Sequence, residues 1–329
     1  MNERETPVMT LPGVVTRLTR SANQRKSIAI AIALVAGAFP SAFCTSSSAQ
    51  PATTEQAGGS ASLNINPKRI TFDRLGRTSS IFLFNQGTAA GVYDISFVDR
   101  VMLPTGQIRP TDEADGAPEV RDLSAKLQSA RSMMLVTPRR VLLKPGMGQT
   151  IRLRAGGTGD WPAGEYRTHL TVTAVPPPDT GLTADQAANA EPGAVSFRIA
   201  SVLGISIPVI VRIGTPQVEA AIENTRFTME SPGPGSELNS PMPVVTFDLV
   251  RRGPNSLFGD IEIRKAKARR EDEPLGVVRG IGVYPEIERR QVKIALRSHP
   301  QRGEQISVVF TDQDTAPGKI LAQSQISLP

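Results

Sequence analysis

Few residues of this chain could do covalent or metal chemistry. Its two histidines, His169 and His299, are far apart, and its one cysteine, Cys44, lies near the start. Zinc sites and thiol or serine nucleophiles need such groups clustered, at spacings such as His-x-x-x-His or beside an imidazole. Neither spacing occurs, so the histidines read as a strand-surface and a loop residue. The Gly-x-Ser-x-Gly elbow of serine hydrolases is absent as well. Lys144-Pro145-Gly146-Met147-Gly148-Gln149-Thr150 has the glycines of a phosphate cradle without its Gly-Lys-Ser/Thr ending. It leads into an alternating strand and reads as a hairpin turn. Asp312 and Asp314, with Glu304 nearby, lack the glycine and glutamate of a calcium loop and read as a strand-end loop. The expectation is a protein that is not an enzyme, with no catalytic residue, no cofactor and no metal.

What remains is the chemistry of an extended backbone. From residue 195 to 211 every odd position except Ser201 is apolar: Val195, Phe197, Ile199, Leu203, Ile205, Ile207, Val209 and Val211. A period of two is that of a β-strand, and at ~3.3 Å per residue it would run about 56 Å. One small domain cannot bury so long an apolar edge. The excess must pack on a second domain or be offered to another protein.

The elements that could position this strand are also β. Gly 28 and Pro 27 punctuate short runs of Val, Ile and Thr, and no sustained helical periodicity follows residue 60. Leu63 to Phe72, broken by Pro67, begins the series. Ser80 to Phe84, Gly91 to Val101, Arg139 to Leu143, Thr150 to Arg154 and Glu165 to Val175 continue it, while 108 to 130 is polar, a loop or short helix. With the long strand these make a sandwich of the immunoglobulin type. Beyond Gly214 the pattern restarts with Val218 to Met229, Pro243 to Val250, Gly259 to Arg264, Gly276 to Tyr284, Gln291 to Arg297, Gln305 to Thr311 and Lys319 to Leu328. The charge run Lys265 to Glu273 reads as a solvated loop.

The N-terminus is a separate object. Arg25 and Lys26 precede the uncharged run Ile28 to Phe39, Pro40 follows, and Ser47-Ser48-Ala49 places small residues before Gln50. That is the pattern of a secretory signal cleaved near Ala49. The apolar run of 12 residues falls short of the ~18 to 20 that span a bilayer, so the mature form is not expected to cross a membrane. Cys44 falls in this leader, and Phe43 before it argues against a lipoprotein signal. Cleavage also lowers the formal charge from +6 to +3, and with 5% aromatic residues no nucleic-acid partner is expected. The expected organisation is all-β: signal peptide 1–49, flexible mature N-terminus 50–62, and two immunoglobulin-like β-sandwich domains, 63–213 and 214–329.

Combined motifs add to this reading. Thr137-Pro138-Arg139-Arg140-Val141-Leu142-Leu143-Lys144-Pro145-Gly146 through Gln149-Thr150-Ile151-Arg152-Leu153-Arg154, then Trp161-Pro162, Glu165-Tyr166-Arg167 and Val175-Pro176-Pro177, resembles the first domain of the periplasmic chaperones of chaperone-usher pilus assembly. Pro67-Lys68-Arg69-Ile70-Thr71-Phe72 is similar to that family's first strand, and Gly204 to Gly214 to the exit of its last. The resemblance covers 63 to 214; beyond 215 it rests on Ile306 to Ser327.

The resemblance implies an L-shaped pair of domains that lends a strand to pilus or fimbrial subunits, each an incomplete sandwich, and passes them to an outer-membrane usher. No small-molecule substrate is implied. Val195, Phe197, Ile199 and Leu203 would be the donated set, with Ile205 onward tied into the protein's own sheet. The alternative is that these residues fill its own core. The family also grips the subunit's C-terminal carboxylate with an arginine and a lysine. Arg69 matches the arginine, whose fork suits a carboxylate; otherwise it is a solvated strand-surface residue. Pro208 stands where the lysine is expected, so either Arg212 substitutes or the anchor has one leg. From a different class, an envelope structural or adhesive sandwich protein could use the same strand to self-associate.

Overall fold

The Val-, Ile- and Phe-rich runs become strands wherever the computed structural model describes them, over residues 62–112, 117–157, 159–176, 202–231, 240–269 and 271–328. The leader, the mature N-terminus to 61, and Val195, Phe197 and Ile199 of the expected donor set lie outside the described residues. The first series is β1 (Leu63–Asn66), β2 (Ile70–Phe72), β3 (Thr78–Asn85), β4 (Gly91–Val98), β5 (Arg100–Met102), β6 (Ile108–Pro110), β7 (Met134–Thr137), β8 (Arg140–Leu143), β9 (Gly148–Ala155), β10 (Gly164–Val175) and β11 (Gly204–Ile213), with helix α1 (Pro118–Lys126) between β6 and β7. Two sheets, in the orders β1-β3-β9-β7 and β2-β11-β10-β4-β8, close on one core. Alternation decides who enters it: Ile81 and Leu83 of β3, Ile151 and Leu153 of β9, Leu170 and Val172 of β10, Val209 and Val211 of β11.

Pro67 lies where the chain changes sheets. Before it, β1 pairs antiparallel with β3; after it, β2 pairs parallel with β11. A residue without an N–H interrupts a ladder at that point. The Lys144 to Gly148 turn differs from the expected hairpin. Strand β8 belongs to one sheet and β9 to the other, so the turn crosses between sheets, with Gly146 at φ +69°. At the next crossing the Tyr166 hydroxyl donates to the Pro162 carbonyl at 3.0 Å, and the Trp161 ring meets Tyr166 edge-on at 5.6 Å. This is the arrangement of the tyrosine corner of immunoglobulin-like sandwiches.

The second series is β12 (Ala220–Glu230), β13 (Met242–Arg251), β14 (Leu257–Lys265), β15 (Gly276–Val283), β16 (Arg289–Ala295), β17 (Gln305–Asp312) and β18 (Ile320–Ser327). Its sheets, β12-β13-β16 and β15-β14-β17-β18, enclose a second core that includes Phe247, Ile261, Ile263, Val308 and Phe310.

The cores do not divide where the sequence does. The segment from β5 to α1 leaves the first sandwich and lays Val101, Met102, Val120 and Leu123 into the second core. Pro118 opens the helix, Glu119 and Lys126 suit its dipole, and Val120 and Leu123 fall on one face. Burying each apolar side chain contributes roughly 1.5–3 kcal/mol. Gln291 N–H also donates to the Pro104 carbonyl at 2.9 Å, so the β5–β6 hairpin is stitched to β16. Among the described residues no helix is long and apolar enough to cross a membrane, and no group of three or more His, Cys, Asp or Glu could hold a metal.

Candidate functional site

Strand β11 carries the described end of the alternating series. It pairs antiparallel with β10 along its whole length, but with β2 only over Val209 to Val211. Just before it, Val202 and Leu203 are 53% and 70% exposed. Ala174 N–H donates to the Leu203 carbonyl at 2.8 Å. Hydrogen-bonded pairs alternate along an antiparallel ladder, so odd residues of β11 bond β10 and even ones turn their backbone groups to the opposite edge. Among the described residues, that edge has no strand beside Gly204 and Ser206. Pro208 therefore sits where its missing N–H costs the β10 ladder nothing. The odd side chains Ile207, Val209 and Val211 face the first core, and Leu203 continues their parity outward.

The other face of β10 and β11 carries charge. Arg212, 5% exposed, donates from Nε to Glu165 Oε2 at 2.9 Å and from Nη2 to Asp314 Oδ2 at 2.7 Å. Arg69, one residue before β2, donates from Nη2 to the same Asp314 oxygen at 2.8 Å and lies over the Phe258 ring at 4.4 Å. It is thus not a solvated surface residue. Its Nε and Nη1 are buried without a hydrogen-bond partner among the described residues. Burial opposes the charge of Arg212, but the hydrogen bond and proximity of Asp314 and Glu165 hold its pKa above the ordinary value. Burial likewise works against the Asp314 carboxylate, and Arg212 and Arg69 outweigh it, so its pKa lies below the usual range.

A strand-end loop aims Asp314, as its sequence suggests. Fully buried Asp312 accepts from Asp314 N–H at 2.9 Å, Thr315 Oγ1 at 2.6 Å and Ala316 N–H at 2.7 Å, fixing the turn that presents the next carboxylate. A second ionic contact joins the sandwiches nearby. Arg167 hydrogen-bonds Glu286, each side chain 1% exposed, and packs over the Tyr284 ring at 4.0 Å. Glu286 Oε1 also accepts from Met102 N–H at 2.8 Å.

Contrary to its surface reading, His169 is 2% exposed, with Nδ1 3.4 Å from Arg167 Nη1. Burial first, then the charges of Arg167 and Arg100, depress its pKa well below the ordinary value. His299 is an exposed loop residue.

Sequence patterning does not single out Glu165, Arg167 and Glu286. The available signal is on β10, where Glu165, Arg167 and His169 alternate opposite Tyr166, Leu170 and Val172. Such a face would be solvated in a lone sandwich. Here the second sandwich covers it.

No family model matches the chain, and no curated protein matches it. Solved structures do. Among them are two chaperones and a chaperone–pilin complex. The E. coli chaperone DraB is 12% identical, with a TM-score of 0.39, over 82% of this chain and 97% of its own. The Pseudomonas aeruginosa CupB2 chaperone is 11% identical, TM-score 0.38, over 81% and 100%. A chain from the Salmonella enterica SafA pilin in complex with the SafB chaperone is 15% identical, TM-score 0.36, over 81% and 96%. Likenesses this distant leave the site to be read from the chain's own residues.

Proposed function

We propose that this chain is a periplasmic chaperone that binds pilus or fimbrial subunits by lending them a strand, shields their grooves and delivers them to an outer-membrane usher. The observation that carries the reading is the open edge of β11. Backbone groups of Gly204 and Ser206 face no strand among the described residues, and Leu203 stands exposed where the alternating series continues toward Val195. An extended edge of this kind is suited to β-strand addition, in which main-chain hydrogen bonds supply affinity and alternate side chains supply specificity. Val195, Phe197, Ile199 and Leu203 would enter the subunit groove from the face that Ile207 and Val209 use for the protein's own core. Arg69 would meet the subunit's terminal carboxylate, with Arg212 beside it.

Each groove-filling side chain is expected to contribute about 1.5–3 kcal/mol, or on the order of 10- to 150-fold in affinity. Phe197→Asp, Ile199→Asp and Leu203→Asp should each cut recovery of a co-expressed pilus subunit at least about tenfold while leaving the chaperone folded. A subunit whose groove is already filled by a fused strand of its own should not bind. Wild-type recovery with all three variants, or equal binding of the self-filled subunit, would sink the proposal.

A further inference from the structure

The two cations expected to meet a partner's carboxylate already hold one. Nη2 of Arg69 and Nη2 of Arg212 converge on a single oxygen, Asp314 Oδ2, at 2.8 and 2.7 Å. Arg69 and Arg212 are balanced by Asp314 and Glu165, so the cluster is neutral as it stands. A further carboxylate would add an uncompensated charge beside an arginine whose side chain is only 12% exposed, which is costly. Yet Arg69 is not saturated, because Nε and Nη1 are buried and have no acceptor among the described residues. Both two-pronged edges of a guanidinium, Nε with Nη2 and Nη1 with Nη2, include the nitrogen that Asp314 occupies.

Asp314 can withdraw by rotating its side chain, with its backbone still held by Asp312. It lies in a turn whose other residues, Gln313 and Thr315 to Lys319, are exposed. If it leaves, Arg212 keeps its bond to Glu165.

We propose that Asp314 is a resident carboxylate that sets the selectivity of this site: it occupies Arg69 in place of a partner's terminal carboxylate, and a partner anchors there by taking Nη2 from it. The inference rests on the reading of Arg69 as the partner anchor. Small free carboxylates are rejected, because alone they cannot offset the displacement. A partner that also adds a strand along β11 can, so anchoring is coupled to strand pairing.

The test is titration of the full mature protein with sodium acetate at constant ionic strength against chloride, following the arginine Nε–H resonances by NMR. In Asp314→Asn the Arg69 signal should move saturably, with an acetate affinity at least about tenfold above wild type, and the response should vanish in Arg69→Gln/Asp314→Asn. Asp314→Ser, whose hydroxyl still accepts a hydrogen bond but carries no charge, should behave likewise. Equal acetate affinity in wild type and both variants, or a response that survives loss of Arg69, overturns the proposal. So does failure of both variants to fold, since a carboxylate that is displaced in use cannot be indispensable to the fold. Absence of subunit complexes with the acetate difference intact would instead count against the strand-lending function alone.

Discussion

Arg167→Met is the sharpest perturbation of the junction between the sandwiches. The substitution keeps an unbranched apolar stem but removes the guanidinium, leaving the 1%-exposed Glu286 carboxylate, among the described residues, with the Met102 N–H alone. Removing one partner of a buried ion pair costs about 3–5 kcal/mol, mostly from stranding the other charge. At about 2–4 °C per kcal/mol for a chain of this size, the melting temperature should fall by roughly 6–20 °C. The double variant Arg167→Met/Glu286→Leu removes both charges and should recover most of the loss. A residual cost of about 1–3 kcal/mol is expected from the Met102 N–H, which loses its acceptor. Urea unfolding measures this with two probes: fluorescence of Trp161, the only tryptophan, which reports the first sandwich, and far-UV circular dichroism, which reports both. Both midpoints should shift together, because the pair spans the two sandwiches. A loss below about 1 kcal/mol in the single variant, or a double variant no more stable than the single, would refute the account of Arg167 and Glu286 as a dry pair welding the junction.

Two further predictions concern the same junction. The unfolded chain takes up a proton at His169 near the ordinary pKa of about 6.5, and the buried ring refuses it. Stability is therefore full above that pH and lost as the pH falls below it, by up to about 1.4 kcal/mol per pH unit. His169→Gln should flatten this slope between about pH 6.5 and 5 and His299→Gln should not, as read from urea midpoints; equal slopes in all three proteins would count against a neutral buried His169. Leu123→Ala, in a helix inserted between strands of the first sandwich, should cost about 2–5 kcal/mol and speed amide exchange in β13 and β16 of the second. Exchange that rises first in β3 and β9 would show the packing to be misassigned.

The residues differ in how far they could be read before folding. Strand β9 announces itself because Ile151 and Leu153 alternate with Thr150, Arg152 and Arg154, and the same period of two marks β3, β10 and β11. Helix α1 does not, since only Val120 and Leu123 of its nine residues are buried and their apolar partners are supplied by distant strands. Arg69 could be found from its place beside Ile70 at the first strand. Its partner could not, because Asp314 is 245 residues away and looks like any strand-end aspartate.

By itself the chain determined its class. Local periodicity, turn residues and the odd-numbered apolar series act over a few residues, so they specify strands, two sandwiches and the face that β11 turns inward. Tertiary structure decided which charges are buried. Glu165, Arg167, His169 and Arg212 would be solvated on one sandwich and are desolvated only because the second covers them, bringing Asp314 and Glu286 within hydrogen-bonding distance. Charge pairing depends on which surfaces meet, and that depends on the sum of many weak contacts across the chain. No short stretch of sequence records it.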